Sequence, residues 1–344
     1  MSQITEKSRL NVAIAGATGA VGEALLAILA EREFPIGELH LLASERSAGE
    51  GIAFGARQLT VKNLADFDFQ GVDIAFFSAG GSVSRDHAPR AAAAGAVVID
   101  NTSEFRYDDD VPLVVAQVNP EAAAERPRGI IANPNCSTMQ LMVALAPIHR
   151  AVGIERINIA TYQSVSGAGR SAMDELGRQT AAMLNFQQHK PSMFPVQIAF
   201  NLIPQIDRFE DNGYTREEMK LVWETRKILG DDSIRVNATA VRVPVFFGHS
   251  EAVHLETREK IGVELVRELL AATEGVELVD AREPGGYPTP VTHAAGKDPV
   301  YVGRIREDIS HPNGLDLWVV ADNIRIGAAL NAVQIAELLV KSQS

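Results

Sequence analysis

Short apolar segments alternate with segments of helical periodicity along the first third of the chain. NVAIAG has the composition of a buried strand, and VGEALLAILAER follows it with apolar residues at about every 3.6 positions. Further strands are predicted at ELHLLAS, DIAFFSAG, AVVIDNTS and GIIANPN, and a helix at SVSRDHAPRAAAAGA. Strands that alternate with helices in this way predict an α/β domain built on a parallel sheet.

The pattern changes from RINIATYQSVSGAG onward, where longer loops separate the strands and three prolines interrupt QHKPSMFPVQIAFNLIPQID. Later strands, in RVNATAVRVPVFFGHSEAVHLE and GLDLWVVADN, flank a helix at GVELVRELLAAT. This order predicts a second domain of the α+β class. IRIGAALNAVQIAELLVKS predicts a terminal amphipathic helix. We therefore expect a first domain of residues 1–134, with a helix of residues 324–344 packed back on it, and a second domain of residues 135–323.

Composition narrows the class of protein. Hydrophobic residues make up 46% of the 344 positions and charged residues 22%, as in globular proteins. No apolar run approaches the roughly twenty residues that span a bilayer, and the first ten residues lack the apolar core of a secretory signal. A net charge of -12 argues against nucleic acid or an anionic membrane as partner. With one cysteine no internal disulfide is possible, which favours a cytoplasmic location.

The first strand and the first helix are joined by a loop that carries Gly16, Gly19 and Gly22. Glycines at this position allow a tight turn and bring backbone N–H groups close to a phosphate at the helix N-terminus. The spacing GxxGxxG is a variant of the dinucleotide fingerprint, and a simple tight turn is the alternative. The position between first strand and first helix favours the dinucleotide site.

The end of the second predicted strand indicates which dinucleotide is bound. An acidic residue there holds the ribose 2′-hydroxyl of NAD, whereas basic and hydroxyl groups accommodate the 2′-phosphate of NADP. The chain has Ser44, Arg46 and Ser47 at this point, together with Glu45. The pattern predicts NADP as the cofactor, with a solvated polar loop as the alternative.

The single cysteine, Cys136, lies in NPNCST, between a predicted strand and a helix predicted to begin near Ser137. A lone cysteine is by default a small buried apolar residue. At a helix N-terminus, however, the dipole and the free N–H groups favour the thiolate and stabilise an oxyanion. A thiolate next to a nicotinamide points to chemistry at the aldehyde and acyl oxidation levels.

Six segments in order resemble the signature segments of the aspartate-β-semialdehyde dehydrogenase family, from about Asn11 to Leu339. They are GATGAVG, ASERSAG, NPNCST, QSVSGAG, RVPVFFGHSE and DNIRIGAALNAVQIAE. The resemblance implies a Rossmann-like NADP-binding domain followed by a catalytic and dimerisation domain. It also implies an oxidoreductase of lysine, threonine and methionine biosynthesis that reduces L-4-aspartyl phosphate with NADPH to L-aspartate 4-semialdehyde and phosphate. A homodimer or a dimer of dimers is expected, and no metal site.

The resemblance also implies roles for individual residues. The expected catalytic residues are Cys136 as nucleophile, His249 as acid/base and Gln163, which orients the thioester. The expected substrate ligands are Arg106 and Lys220 for the phosphate, Arg242 for the α-carboxylate and Glu217 for the amino group. The expected cofactor ligands are Gly16, Thr18, Gly19, Ala20, Val21, Gly22, Ser44, Arg46, Ser47, Ser78 and Asn323, and Asn135 is expected near the nicotinamide.

Two of these assignments depend on local geometry. Arg242 and His249 are seven residues apart, about 20–25 Å in a fully extended strand, so they share a site only if the chain turns at Gly248. Glu217 and Lys220 share a helix face if TREEMKLVWETRKIL is helical, but most such pairs are solvated and the neighbouring Glu218 leaves the register open.

Two positions depart from the family pattern. Glu104 stands where a small residue is usual, and on an extended strand its carboxylate shares a face with Arg106 and weakens a phosphate site. Ile326 stands where a lysine is common, beside a retained Arg325.

Two alternatives remain for the function. N-acetyl-γ-glutamyl-phosphate reductases share the fold and the cysteine chemistry, but their blocked substrate needs no carboxylate such as Glu217. The second alternative is a catalytically inactive relative that acts as a binding partner. An unreactive cysteine would indicate it.

Overall fold

The computed structural model describes residues 9–341. Residues 1–8 and 342–344, which the predicted first domain and terminal helix include, lie outside the described residues. The chain divides into two compact units, one of Met1–Asn135 with Ala328–Ser344 and one of Cys136–Gly327. Among residues 9–341, no helix combines the length and the apolar character that crossing a membrane requires.

The first unit is an α/β unit. Within the described residues it forms a seven-stranded sheet in the order β3-β4-β2-β1-β5-β6-β7, parallel except for the β3–β4 pair. The strands are β1 (Leu10–Ala15), β2 (Ile36–Ala43), β3 (Gly51–Phe54), β4 (Arg57–Asn63), β5 (Ile74–Phe77), β6 (Val97–Asp100) and β7 (Ile130–Ala132), and two helices are α1 (Ala20–Glu31) and α2 (Gly81–Ala93).

Burial explains which strands the sequence revealed. β1, β5 and β6 lie inside the parallel sheet and are almost completely buried, so they are continuous apolar runs. β3 and β4 were not predicted, because they form the exposed antiparallel edge of the sheet and carry mostly polar or half-exposed side chains. The order of strands reverses beside β1, between β2 and β5, which is where open α/β sheets bind ligands.

The second unit contains a mixed sheet in the order β11-β12-β13-β10-β8-β9, six strands within the described residues. The strands are β8 (Ile154–Gln163), β9 (Arg235–Arg242), β10 (His249–Thr257), β11 (Val276–Leu278), β12 (Val300–Glu307) and β13 (Gly314–Ala321). The helices are α3 (Cys136–Val152), α4 (Arg170–Leu184), α5 (Arg216–Leu229) and α6 (Val263–Ala271). The predicted fold class, an α/β domain followed by an α+β domain, is confirmed.

Helix α3 covers one face of this sheet, because it packs on β8, β10 and β13. Alternate side chains of these strands point towards it, and they include Gln163 at the end of β8 and His249 at the start of β10. The proline-rich segment of residues 188–207 forms neither helix nor strand beyond one bridge between Ile203 and Arg242.

The end of the described chain returns to the first unit. The predicted helix of residues 324–344 begins as a π-helical turn, Arg325–Leu330, and continues as α7 (Asn331–Lys341). Helix α7 packs on α1 and β6. Arg32 donates from Nε and Nη2 to the two carboxylate oxygens of Glu337, at 2.6 and 2.7 Å.

Candidate active site

Cys136 is the first residue of α3, one position earlier than predicted, and it is half-buried. The thiol therefore lies at the positive end of a helix of 17 residues, where a thiolate is favoured. Gly327 packs against it so closely that a Cβ there would lie 2.8 Å from the Cβ of Cys136. Any larger residue at position 327 would displace the cysteine or the turn that carries the glycine.

Gln163 links the start of α3 to helix α5. Its Nε2 donates to Oγ of Ser137, the residue after Cys136, and lies 3.1 Å from Oε1 of Glu217. The side chain is almost completely buried, with 1% of the residue exposed. The amide nitrogen of Gln163 is therefore fixed by two contacts beside the cysteine.

The α5 residues Glu217 and Lys220 lie inside the unit and not on a solvated face. Lys220 Nζ lies 2.8 Å from Oε2 of Glu217 and 3.1 Å from Oδ2 of Asp207. Glu218 has a structural role, because it forms a capping box with Thr215 and accepts a hydrogen bond from the backbone N–H of Ala240. The register that the sequence left open is therefore resolved: Glu217 is the carboxylate that faces Gln163.

Arg242 is the last residue of β9 and lies opposite Gln163 in the parallel pair of β8 and β9. Its Nη1 donates to the carbonyl oxygen of Ser164 at 2.7 Å. Burial lowers the pKa of this guanidinium, and the negative charges of Glu217 and Cys136 act in the opposite direction. Arg242, Glu217 and Cys136 are therefore close enough to interact electrostatically.

His249 is the first residue of β10 and is completely buried. The chain turns at Gly248, which has φ of +87°, so Arg242 and His249 meet in one site. A Cβ on Gly167 would lie 3.0 Å from Arg242 Nη1 and 3.3 Å from His249 Nε2. Glycine at position 167 therefore leaves the two side chains room to converge.

The protonation state of His249 follows from its surroundings. The backbone N–H of Ser164 donates to Nδ1 at 3.1 Å, so the neutral ring carries its proton on Nε2. Within the described residues Nε2 has no hydrogen-bond partner. Burial, and after it the positive charge of Arg242, lower the pKa of His249 to about 3. The imidazole is neutral at physiological pH and presents an N–H at Nε2.

Asn323 lies in the second unit, where its amide organises the loop around His249. Its Oδ1 accepts from the hydroxyls of Ser164 and Ser166, at 3.0 and 3.1 Å, and from the backbone N–H of Gly248 at 3.0 Å. These contacts give Asn323 a positioning role. Its predicted contact with the cofactor stays a prediction.

Arg106 lies in the first unit. Its Nε donates to the carbonyl oxygen of Asn133 and its Nη2 to that of Asn101. Residues 102–107 form bends and turns, so the extended strand assumed for Glu104 and Arg106 was wrong. Glu104 is held by Arg85, which donates from Nε and Nη2 to its two carboxylate oxygens at 2.6 and 2.8 Å. The carboxylate of Glu104 is therefore neutralised by a guanidinium other than that of Arg106.

The glycine loop of the first unit fits a dinucleotide phosphate. Gly16 has φ of +93° and a Cβ there would lie 2.9 Å from Oγ of Ser78, while a Cβ on Gly22 would lie 2.3 Å from the carbonyl oxygen of Gly16. Helix α1 begins at Ala20 after the N-cap residue Gly19, which makes no side-chain hydrogen bond to the helix, and a helix N-terminus of this kind suits a phosphate. Thr18 and Gly19 lie in the turn before α1, and Ala20, Val21 and Gly22 are the first three residues of the helix.

The residues predicted to bind a 2′-phosphate directly follow β2. Glu45–Ser47 form one 3₁₀ turn that begins after Ser44, and the side chains of Ser44 and Arg46 are exposed. An exposed guanidinium between two hydroxyls fits a 2′-phosphate. Within the described residues, no group of three histidine, cysteine or acidic side chains could hold a metal ion.

Sequence reasoning missed several residues of the second unit that hold the predicted ones. They are Ser137, Ser164, Ser166, Gly167 and Asp207. The run of small residues in QSVSGAG was a usable signal, because small side chains directly after Gln163 leave space for Arg242 and His249. Asp207 gave no signal, because only the tertiary fold brings it to Lys220.

Comparisons with known proteins cover both units. The family model described as semialdehyde dehydrogenase, NAD binding domain, matches residues 11–126, and the one described as semialdehyde dehydrogenase, dimerisation domain, matches residues 145–326. The chain is 62% identical over 334 residues to aspartate-semialdehyde dehydrogenase 2 of Vibrio cholerae. The alignment covers 97% of this chain and 98% of the relative.

Solved structures agree with these matches. The crystal structure of aspartate semialdehyde dehydrogenase II from Vibrio cholerae complexed with ASA superposes with a TM-score of 0.96 at 61% identity, and covers 98% of this chain and 100% of that chain. Aspartate semialdehyde dehydrogenase with NADP from Candida albicans gives a TM-score of 0.77 at 27% identity, and covers 97% of this chain and 99% of that chain.

Proposed function

The chain belongs to the aspartate-semialdehyde dehydrogenase family, and on that premise we propose how its residues carry out the reaction. The protein is an NADP-dependent oxidoreductase that converts L-4-aspartyl phosphate to L-aspartate 4-semialdehyde and phosphate, a step of amino-acid biosynthesis. The resemblance of the six sequence segments to this family is confirmed. The roles of single residues are proposals.

We propose that the thiolate of Cys136 attacks the acyl carbon of the substrate. A carbon–sulfur bond forms, and phosphate leaves with the electron pair of the carbon–oxygen bond. Cys136 begins α3, and backbone N–H groups at a helix N-terminus stabilise the oxyanion of a tetrahedral intermediate. Gln163 keeps the thioester in place, because its amide is tied to Ser137 and Glu217.

NADPH, when bound, supplies the hydride that takes the thioester carbon to the aldehyde level. The 2′-phosphate would be held by Ser44, Arg46 and Ser47. The pyrophosphate would be held at the N-terminus of α1. His249 donates the hydrogen bond from Nε2 to the developing oxyanion, since Nδ1 is occupied by the N–H of Ser164. Collapse of the adduct returns the electron pair to the sulfur of Cys136.

The observation that carries the assignment of substrate is the chain of contacts from Ser137, beside the nucleophile, through Gln163 to Glu217 and Lys220. A buried carboxylate that contacts Gln163 suits a substrate with a free ammonium group, which N-acetylated substrates lack. Arg242 suits the α-carboxylate, because a guanidinium binds a carboxylate with two parallel hydrogen bonds. Lys220, with Arg106, suits the phosphate.

The assay is the phosphate-dependent reduction of NADP by L-aspartate 4-semialdehyde, followed by the absorbance of NADPH. Wild type and Cys136→Ala are compared, with N-acetylglutamate semialdehyde and NAD as competing substrate and cofactor. Turnover of the aspartate compound that vanishes in the variant supports the proposal. Preference for the acetylated compound would move the protein to the reductase of N-acetylglutamyl phosphate. No turnover by a folded protein that binds NADP would identify an inactive relative.

We also propose that the protein is a homodimer that works in the cytoplasm. The match of residues 145–326 to a dimerisation domain supports the dimer. Sedimentation at micromolar concentration distinguishes it from a monomer or a dimer of dimers.

A further inference from the structure

A buried carboxyl group, Glu251, lies on the core face of β10 and has no role in the proposed chemistry. It follows His249 by two positions, so the two side chains point to the same side of the sheet. Its neighbours across the sheet are Thr161 on β8 and Val319 on β13. The residue is 0% exposed. In an ordinary sheet core a valine or leucine would occupy this position.

Three buried side chains around this position have oxygen atoms that lack a hydrogen bond of standard geometry within residues 9–341. The atoms are the two carboxyl oxygens of Glu251, Oε1 of Gln140 and Oγ1 of Thr161. The amide of Gln140 is near enough to lower the pKa of the Glu251 carboxyl by hydrogen bonding, but burial has the larger effect and raises that pKa well above its usual value. A neutral carboxylic acid has one O–H to donate.

Gln140 belongs to the helix of the nucleophile. It follows Cys136 by four positions on α3, so the two side chains lie on one face of the helix. Its Nε2 donates to the backbone carbonyl oxygen of His249 at 3.4 Å. Gln140 therefore contacts the first residue of β10 through its backbone, and the carboxyl of Glu251 two residues further along the same strand.

We propose that a hydrogen bond between Glu251 and Gln140 fixes the spacing between the helix of Cys136 and the strand of His249. Both are positioning residues: they touch neither substrate nor cofactor. An apolar pair at these two positions would avoid the desolvation of two polar groups. We therefore attribute the presence of Gln140 and Glu251 to the positioning of Cys136 and His249, and not to the stability of the fold.

The kinetic test of this proposal rests on the proposed function. Two substitutions at Glu251 distinguish loss of the hydrogen bond from a change of the side chain alone. Glu251→Gln keeps a neutral polar group that can form a hydrogen bond with Gln140, so we expect a kcat within about twofold of wild type. Glu251→Leu removes that hydrogen bond, and we expect kcat to fall about tenfold or more, with KM for NADP unchanged. Val253→Ala, the next core-facing position of β10, is the matched control: it lowers thermal stability and leaves kcat unchanged.

Nitrogen NMR shifts of the His249 ring, recorded without substrate, test the placement independently of turnover. We expect them to move in Glu251→Leu and to match wild type in Glu251→Gln. If wild type has no turnover, the proposed function fails while the NMR test still decides the positioning role. Wild-type kcat and ring shifts in Glu251→Leu would overturn the proposal, and so would a Gln variant as slow as the Leu variant. Gln140→Met replaces Glu251→Leu if that variant does not fold, with the same expected loss and the same contrary result.

Discussion

Glu217 and Glu218 are adjacent on α5 but accept hydrogen bonds from different parts of the second unit. Glu217 faces Gln163 and Lys220, whereas Glu218 caps the start of its own helix and accepts from the backbone of β9 at Ala240. One carboxylate thus lies among the candidate site residues, and the other is committed to the fold.

This difference predicts opposite effects for two matched substitutions. Glu217→Gln removes the charge that would bind the substrate ammonium, and we expect kcat/KM for L-aspartate 4-semialdehyde to fall about 100-fold. Glu218→Gln should lower the free energy of unfolding by about 1–2 kcal/mol, because one acceptor of the capping box becomes a donor, and should keep kcat/KM near wild type. Steady-state kinetics and urea unfolding measure both. Equal losses of activity in the two variants would contradict the assignment.

His249 predicts how stability depends on pH. Its pKa in the fold is about 3, because burial and Arg242 disfavour the charged ring, against a usual value of 6.5. Above pH 6.5 the ring is neutral in both the folded and the unfolded chain, so it does not affect how the free energy of unfolding depends on pH. Below pH 6.5 the ring of the unfolded chain binds a proton that the folded chain does not bind. Stability is therefore lost as the pH falls from 6.5 towards about 3, at about 1.4 kcal/mol per pH unit. His249→Asn should lack this contribution. The free energy of unfolding between about pH 6 and pH 4 measures it, and identical slopes in the two proteins would refute it.

Gly167 predicts a steric effect on the site without a general loss of stability. Gly167→Ala would place a methyl group 3.0 Å from Arg242 Nη1 and 3.3 Å from His249 Nε2, and we expect kcat/KM to fall about tenfold or more. Gly177→Ala is the control, because a Cβ there meets no atom within 4 Å and position 177 is inside α4. That control should raise the free energy of unfolding by about 0.5–1 kcal/mol and leave kinetics unchanged. Wild-type kinetics for Gly167→Ala would show that the two side chains need not converge.

Asn323 allows its two roles to be separated. Asn323→Ala removes an acceptor shared by Ser164, Ser166 and Gly248, so we expect a loss of about 2–3 kcal/mol in the free energy of unfolding. We expect a lower kcat, with KM for NADP changed less than about twofold, since the contacts lie around His249. Kinetics with NADP as the varied substrate check this. A large rise in KM at unchanged kcat would instead favour the cofactor contact.

Local patterns revealed those parts of the fold whose burial is uniform. β1, α1 and the glycine loop were predictable because an apolar strand, an amphipathic helix and the glycines between them are adjacent in the sequence. The β3–β4 pair was not, because at an exposed edge its side chains need not be apolar. Helix α4 was also missed, since its polar residues Glu175 and Gln179 are buried and pin the proline-rich loop by accepting from the backbone at Ser192, Met193, Ile198 and Ala199.

In the candidate site, too, local motifs revealed some residues, whereas others depend on tertiary contacts. Cys136, Gln163, Arg242 and His249 each lie at the end or start of a helix or strand, and motifs marked all four. The register of Glu217 could not be read from spacing, because the capping box that occupies Glu218 depends on Thr215 and the contact with Ala240 on strand β9. Glu251 did leave a signal: it alternates with His249 and Val253 on the apolar face of β10, where an acid is out of place.

The single cysteine has a practical consequence for anyone who handles this protein. Cys136 is the only thiol in the sequence, so each chain contains one sulfhydryl group at the start of α3 and none elsewhere. A colorimetric titration of thiols in the unfolded protein therefore counts candidate active sites directly, and a fluorescent maleimide labels that position without prior mutagenesis. Oxidation of that one sulfur leaves no neighbour in the chain to form a disulfide, so recovery depends on a thiol added from outside.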